Sequence, residues 1–306
     1  MPALSLDKYE FVRVSGPDTD KFLQGQLSCD MAKLTPANAL RGALCNLKGR
    51  VILDFRIVRD GSDCLLQMNT GLAELFISTL TKYAVFSKVE LSIDENMPAP
   101  LALLPEGSVA ELEASMGTVP EQYNDCTQTD FGLLINVGRQ TPRFELWSIG
   151  VQKAFPADLP AGISPSAEAW QHATLQDGEW RVPQAHTEEF TPQLLNYDIS
   201  GVIDFNKGCY TGQEVVARMY YRATPKQRLY LLRADQIIDD SMKICYDSED
   251  NDKAEDILAA STYQNEHLAL AILNITEMES GSAGICNSNI RLEVVALPYS
   301  DKRATT

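Results

Sequence analysis

The 306-residue sequence lacks the residue patterns that mark several common functional classes. It has three histidines and no His-x-x-x-His or His-Glu-x-x-His spacing, so we expect no histidine-based metal site. It has no Cys-x-x-Cys pair, which argues against a zinc ribbon or a ferredoxin-type cluster. No apolar run approaches the roughly 20 residues that cross a bilayer, and the N-terminus has no signal-peptide pattern. We therefore expect a cytoplasmic protein with no membrane partner and no bound metal.

Basic residues are also scarce. The chain has 26 lysines and arginines against 42 aspartates and glutamates, which gives a formal net charge of −16. Such a field repels polyanions, so we expect no direct binding of nucleic acid. The argument limits the size of an anionic partner and still allows a local basic pocket to hold a small anion.

The cysteine content is moderate and its spacing is uninformative. The seven cysteines are Cys29, Cys45, Cys64, Cys126, Cys209, Cys245 and Cys286, and no two are closer than 16 residues. Because the chain is large and shows no export signal, a disulfide framework is not expected. We expect reduced thiols that are mostly buried, with Cys209 as the exception.

Hydrophobic spacing predicts an α+β protein of three parts. Residues 1–93 read β-α-β-β-α-β, the order of a ferredoxin-like unit. Residues 94–225 predict a second α+β unit with a helix near 109–116. Residues 226–306 contain short strands and few helical signals, which predicts a small β-barrel or sandwich. Within this last part the acidic stretch 239–256 is predicted to loop out.

One segment, Asp204 to Met219, carries the strongest chemical signal. Gly208 and Gly212 flank Cys209 and Tyr210, and a helical pattern begins after Gly212. Cys209 therefore precedes a helix N-terminus, with Lys207 two residues away, and both features favour the thiolate form of a cysteine. Two interpretations remain open from these residues alone: a reactive cysteine, or a loop that feeds a helix with Cys209 buried.

The segment Lys207-Gly-Cys-Tyr-Thr-Gly-Gln-Glu-Val-Val-Ala-Arg218 resembles the signature of the YgfZ family, whose members are related to the aminomethyltransferase (T-protein) of the glycine cleavage system. The resemblance extends from about residue 6 to about residue 235 and becomes weak in the last seventy residues. It is supported by four further segments in the family's order: Phe22–Asp30, Cys45–Arg50, Lys82–Val89 and Phe190–Asn196.

The resemblance implies an architecture and a ligand. The three α+β parts would surround a central cleft that binds tetrahydrofolate or a one-carbon derivative of it. The family role implies support for the assembly or repair of iron–sulfur enzymes, including those that thiolate tRNA. Iron–sulfur enzymes or cluster carriers would then be transient partners, and the effect on tRNA modification would be indirect.

Site residues can be carried over by position. The resemblance assigns the reactive step to Cys209 and Lys207. It assigns folate contacts to two aromatic residues, Tyr9 (where the family often has tryptophan) and Trp170. The remaining folate contacts fall in the signature segment: Gly208, Tyr210, Gly212, Gln213, Glu214 and Arg218.

The sequence departs from the aminomethyltransferase pattern at one place. Those enzymes carry an acidic pair after a Gly-Gly, whereas this chain reads Gly49-Arg-Val-Ile-Leu-Asp54, with Leu53 in place of the first carboxylate. Acid–base chemistry on an aminomethyl carrier needs a placed carboxylate, so glycine cleavage activity is not expected. Three hypotheses remain: a folate-dependent iron–sulfur factor that uses Cys209, a one-carbon transferase, and a non-catalytic folate-sensing adaptor.

Overall fold

The computed structural model describes residues 3–105, 109–155, 163–247, 253–281 and 283–299. The chain divides into two compact units. The first comprises Met1–Pro165, Arg181–Thr191 and Gly201–Ala217, and the second comprises Ser166–Trp180, Pro192–Ser200 and Arg218–Thr306. The domain boundaries expected near residues 93 and 225 stay predictions.

The described chain contains sixteen strands and six α-helices. Two additional single turns of 3-10 helix lie at Met31–Lys33 and Gln184–His186. In chain order the elements are β1 (Leu4–Ser5), β2 (Tyr9–Ser15), α1 (Thr19–Gln24), β3 (Leu40–Cys45), β4 (Val51–Asp60), β5 (Asp63–Asn69), α2 (Ala73–Ala84), β6 (Glu90–Ile93), β7 (Leu101–Leu103), α3 (Ala110–Met116), β8 (Cys126–Thr129), β9 (Gly132–Asn136), β10 (Phe144–Trp147), α4 (Ala167–Gln176), α5 (Gln213–Arg222), β11 (Gln227–Ala234), β12 (Lys243–Tyr246), β13 (Ala254–Tyr263), β14 (Glu266–Asn274), α6 (Ile275–Ser280), β15 (Ala283–Ile285) and β16 (Arg291–Val295).

The first sheet of the first unit has the strand order β3-β4-β5-β2-β6, and all its neighbours are antiparallel. Without β3, this order with α1 and α2 as connections is the split βαβ arrangement, so the ferredoxin-like prediction is confirmed. Strand β3 was not predicted, and it extends the sheet beyond β4. Apolar side chains from α1 and α2, including Phe22, Leu23, Phe76 and Leu80, pack with Phe55 of β4 to form the core.

The second sheet of the first unit has the order β1-β7-β10-β9-β8. Its edge strand β1 comes from the start of the chain and pairs with β7, about a hundred residues later. Helix α3 lies where the sequence predicted a helix, and its Leu112 packs in a core with Leu103 and Phe144. The first unit is therefore an α+β structure built on two sheets.

The second unit is built on a closed barrel with the strand order β11-β14-β13-β12-β15-β16. This confirms the barrel form of the C-terminal prediction and, with the two sheets, the α+β class. Helix α4 belongs to the same unit and supplies Leu175 to a cluster with Leu229, Leu231 and Leu268 of the barrel strands. Closure pairs every barrel strand on both sides and leaves no free edge.

Two expectations for this region were wrong. The acidic stretch 239–256 is not one loop, because it contains β12 and the start of β13; residues 248–252 lie outside the described part. Ile244 and Tyr246 are buried in the barrel and alternate with the more accessible Lys243 and Cys245. This alternation favours a strand despite the acidic residues around it. The expectation of reduced thiols also fails for one pair: Cys245 and Cys286 form a disulfide, because β12 and β15 are antiparallel neighbours that bring the two Cα atoms to 5.0 Å.

Candidate functional site

The signature loop is anchored to the first unit by Lys207. Its side chain is buried, and its ammonium nitrogen donates to three backbone carbonyls, those of Gln24 at 2.8 Å, Leu27 at 2.6 Å and Cys29 at 2.8 Å. These carbonyls lie at and just beyond the C-terminal end of α1, where a cation is also favoured by the helix dipole. Burial lowers the pKa of Lys207. Because an ammonium has three N–H donors, all of them are used in this anchor.

Two glycines allow the start of α5 to pack against the β3–β4 turn. Gly212 has φ +84°, and a Cβ there would lie 2.4 Å from the carbonyl oxygen of Asn46. Gly49 has φ +72°, and a Cβ there would lie 2.8 Å from Cγ1 of Val215. Residues that carry a Cβ rarely adopt such backbone φ values, so glycine is required at both positions. The two segments that carried the family resemblance at 45–50 and 207–218 are therefore in direct contact.

Tyr210, in the second of these segments, is buried. Its backbone N–H donates to Oε1 of Gln213 at 3.2 Å, which satisfies a free donor ahead of the helix. Its ring lies 5.1 Å from the ammonium nitrogen of Lys207, and burial raises the pKa of its hydroxyl. Among the described residues that hydroxyl has no hydrogen-bond partner. A buried hydroxyl without a partner is costly, and such positions occur where a ligand or a water binds.

Cys209 is exposed, whereas the other four free cysteines are buried. Burial raises the pKa of each of those four thiols to about 12. Of the two interpretations left open by the sequence, the one with Cys209 buried is wrong. Gly208 and Glu214 are exposed beside it, so the anchored loop presents this thiol to solvent.

A second polar cluster surrounds Asp54, which is buried in β4. Its Oδ1 accepts from Arg41 at 2.7 Å and from Arg181 at 3.0 Å, and its Oδ2 accepts from the backbone N–H of Val182 at 2.7 Å. Arg181 also donates to the side chain of Gln67 at 2.5 Å and to its carbonyl at 2.7 Å. Asp54 is the one carboxylate that this chain keeps of the acidic pair in the aminomethyltransferase pattern, and two guanidinium groups hold it. This position is unlike that of a carboxylate free to move a proton.

The two aromatic residues assigned to folate belong to different units. Tyr9 begins β2 in the first unit and is half-buried, with the guanidinium carbon of Arg181 4.8 Å from its ring centroid. Trp170 lies on α4 in the second unit and is 3% exposed. Arg218 lies on the exposed side of α5 and belongs to the second unit, whereas Lys207 to Gln213 belong to the first.

Sequence reasoning missed Arg181 and Arg41. Arg181 follows Trp180 in a segment that gave no motif, and its role depends on the return of residues 181–191 to the first unit. The one signal that was present is Asp54 itself, a charged residue inside the apolar run 51–58, since buried carboxylates need cationic or N–H partners. Among the described residues there is no group of three histidine, cysteine, aspartate or glutamate side chains arranged to hold a metal ion. In the same part of the chain no helix is long and apolar enough to cross a bilayer.

These two clusters sit on a known architecture. The chain has the fold of an aminomethyltransferase: the crystal structure of the glycine cleavage system aminomethyltransferase T from Bartonella henselae matches it with a TM-score of 0.73, over 96% of this chain and 84% of that chain, at 16% identity. No protein-family model matches the chain.

Three curated relatives give the family. A protein named tRNA-modifying protein YgfZ from Pectobacterium carotovorum is 32% identical over 279 residues, which are 89% of this chain and 83% of the relative. Proteins of the same name from Pectobacterium atrosepticum (30% identical, 97% of this chain and 91% of the relative) and Photorhabdus laumondii (28%, 97% and 92%) match almost end to end. The chain belongs to the YgfZ family.

Proposed function

We propose that this protein binds tetrahydrofolate or a one-carbon derivative and supports the assembly or repair of iron–sulfur enzymes in the cytoplasm. The observation that carries the proposal is the exposed thiol of Cys209 on a loop that the buried Lys207 anchors. An exposed cysteine on an ordered loop is suited to transient covalent or metal-ligand chemistry with a partner. The name of the relatives, tRNA-modifying protein YgfZ, supports an effect on tRNA modification.

Three observations support folate as the ligand. The ring of Tyr9 is half-buried and is backed by Arg181, which leaves a rigid aromatic surface for a planar ring. The hydroxyl of Tyr210 lacks a partner among the described residues, and the polar edge of a pterin would supply one. The fold is shared with an aminomethyltransferase of the glycine cleavage system. In this proposal Gly208, Gly212, Gln213 and Glu214 supply the remaining contacts of the first unit, whereas Trp170 and Arg218, which belong to the second unit, stay sequence-based predictions.

Lys207 acts in this proposal by positioning the loop. Its three donors already bind the carbonyls of Gln24, Leu27 and Cys29, so the loop is held at its base. The chemical step is left to Cys209. The one-carbon transferase hypothesis is disfavoured because Asp54 is paired with Arg41 and Arg181.

The proposed effect on tRNA is indirect. A chain with a net charge of −16 repels a polyanion over distances comparable to the Debye length, about 8 Å at physiological ionic strength. Iron–sulfur enzymes that thiolate tRNA, or the carriers that supply their clusters, are the proposed transient partners.

The deciding experiment compares Cys209→Ala with Asn206→Ala, an exposed neighbour on the same loop, in a strain that lacks the endogenous protein. The readout is the level of thiolated tRNA. We expect Asn206→Ala to restore it and Cys209→Ala to fail. If the alanine variant of Cys209 restores thiolation fully, the protein acts as a non-catalytic folate-sensing adaptor instead.

Ligand binding is measured separately by calorimetry. Tetrahydrofolate is expected to bind in the micromolar range, about −8 kcal/mol, to the wild type and to Cys209→Ala alike. Quenching of tryptophan fluorescence should be much weaker in Trp170→Phe than in the wild type. No detectable binding of tetrahydrofolate or its formyl derivative at millimolar concentration would refute the folate proposal.

A further inference from the structure

A cavity of about 470 Å³ lies in the first unit next to the signature loop. Its walls come from the end of β3, the β3–β4 turn, the last turns of α2, Glu188 and Thr211. The cavity is large enough for several side chains or a small ligand. Nothing in the proposed folate contacts uses it, although Thr211 is only two residues from Cys209.

The charged side chains around the cavity are mostly cationic. Lys48, Arg50 and Lys82 line it and are exposed, whereas Glu188 is the one carboxylate among its lining residues. Arg50 donates to the carbonyl of Glu189, which fixes the direction of its guanidinium, and the ammonium of Lys82 lies 5.0 Å from the ring centroid of Tyr83. On a chain with an overall charge of −16, this local excess of positive charge is unusual and selects an anionic partner.

Large apolar side chains are exposed at the β3–β4 turn and at the end of α2, the two segments that carry Lys48, Arg50 and Lys82. Leu47, at the β3–β4 turn, is 73% exposed, and Val85 and Phe86, directly after α2, are 72% and 99% exposed. Leu47 itself lines the cavity, and Val85 and Phe86 follow its lining residue Tyr83 in sequence. Surface patches that combine aromatic, aliphatic and arginine side chains are typical of protein interfaces. We call Leu47, Lys48, Arg50, Lys82, Val85 and Phe86 the Phe86 surface.

We infer that the Phe86 surface docks an acidic segment of a partner protein. Carboxylates of the segment pair with Lys48, Arg50 and Lys82, and an apolar side chain packs against Leu47 and Phe86. A protein segment supplies both kinds of group, whereas RNA supplies phosphates and bases but no aliphatic side chain for Leu47 and Val85. The position of Thr211 in the cavity wall places the docked segment beside the loop that carries Cys209.

The inference rests on the proposed function in one respect: the docked protein is taken to be the partner on which Cys209 acts. Docking itself needs no folate. Tetrahydrofolate affinity is therefore measured on the same variants, so that a failed docking surface and a failed folate site give different results.

The first experiment uses the full chain and defined probes. The probes are a 14-residue peptide of glutamates with leucines four apart, the same peptide with glutamine for every glutamate, and a 14-nucleotide single-stranded RNA. We expect the acidic peptide to bind with an affinity that falls as salt is raised. The double substitution Lys48→Glu with Lys82→Glu should weaken it at least tenfold and Phe86→Ala about fivefold. Lys21→Glu and Val151→Ala, an exposed lysine and an exposed valine elsewhere in the unit, are the matched controls and should leave it unchanged.

The second experiment tests the surface in cells. A photoreactive benzoylphenylalanine replaces Phe86 in one strain and Val151 in another, and the cross-linked peptides are sequenced. The inference requires acidic peptides from position 86 that disappear when Lys48→Glu and Lys82→Glu are added. It is overturned if the RNA binds more tightly than the acidic peptide, if the glutamine peptide binds equally well, if no peptide binds at millimolar concentration, or if the cross-linked peptides are not acidic.

Discussion

Replacing Lys207 with methionine tests whether the anchor of the signature loop is structural. Methionine has a similar length and fills the same space, so the change removes the charge and its three hydrogen bonds with little change in packing. The carbonyls of Gln24, Leu27 and Cys29 then lose their shared donor. A buried polar group that loses its partner costs about 1–3 kcal/mol.

The net magnitude is smaller than the sum of three such losses. Burying an ammonium costs several kcal/mol, and the lowered pKa of Lys207 has this desolvation as its largest cause, so Lys207→Met also removes a penalty. We expect a net loss of about 2–4 kcal/mol in the free energy of unfolding. Lys207→Arg should lose about 1–2 kcal/mol, because a planar guanidinium cannot direct three N–H groups at three converging carbonyls.

The assay is urea unfolding followed by two independent probes, with Lys33→Met as the matched control. Lys33 pairs with Asp204 but is more than half exposed, so its loss should cost no more than about 1 kcal/mol. The time course of Cys209 alkylation in the native protein is measured alongside. In Lys207→Met it should depart from a single rate, because the loosened loop then holds the thiol in more than one environment. If Lys207→Met is as stable as the wild type yet fails in the cellular assay, Lys207 is a chemical group and the positioning role is refuted.

Three further outcomes are expected. Gly212→Ala should lose about 2–4 kcal/mol of stability in urea unfolding, because its φ of +84° and the nearby carbonyl of Asn46 leave no room for a Cβ. The control Gly208→Ala, whose Cβ would meet nothing within 4 Å, should change stability by less than about 0.5 kcal/mol, and equal losses in the two variants would contradict this packing. Burial raises the pKa of the Cys45 thiol from 9.0 to about 12, so the unfolded chain loses this proton first and stability falls as pH rises from 9 towards 12. In unfolding curves measured across this range, Cys45→Ala should reduce the slope of that fall by up to about 1.4 kcal/mol per pH unit. An unchanged slope would show that Cys45 does not contribute. In filter-binding assays, direct binding of tRNA should be weaker than a non-specific dissociation constant of roughly 10⁻⁴ to 10⁻⁶ M, and tight, salt-sensitive binding would overturn the indirect role.

The parts of the fold that sequence reasoning found are those with local signals. The apolar run 51–58 and the helical spacing from Leu72 to Tyr83 are periodic over one element, so β4 and α2 were predicted near their observed places. Strand β3 was missed because its residues 40–45 are buried on both faces and show no alternation. The pairing of β1 with β7 has no local signal at all, since it depends on contacts across a hundred residues.

The same distinction separates the residues of the candidate site. Cys209 and the two flanking glycines lie in one continuous motif, and their placement before α5 was predicted. The anchoring of Lys207 by three carbonyls from another segment was not predictable, because backbone carbonyls are present at every residue and leave no mark in the sequence. Arg181 was missed for a related reason: its partners Asp54 and Gln67 are more than a hundred residues away.

The second unit has a consequence for the order of synthesis. Its helix α4 packs against β13, and its Leu175 has its core partners on barrel strands. About 80 residues separate the end of α4 from the start of β13, which a ribosome adds in roughly 4–16 s at about 5–20 residues per second. About halfway through that interval, once Ala217 has been added, the first unit has all of its segments, whereas α4 still lacks the barrel strands that it packs against. A nascent chain that stops after α5 is therefore expected to fold its first unit and to leave the apolar side of α4 as a chaperone-binding or protease-sensitive segment.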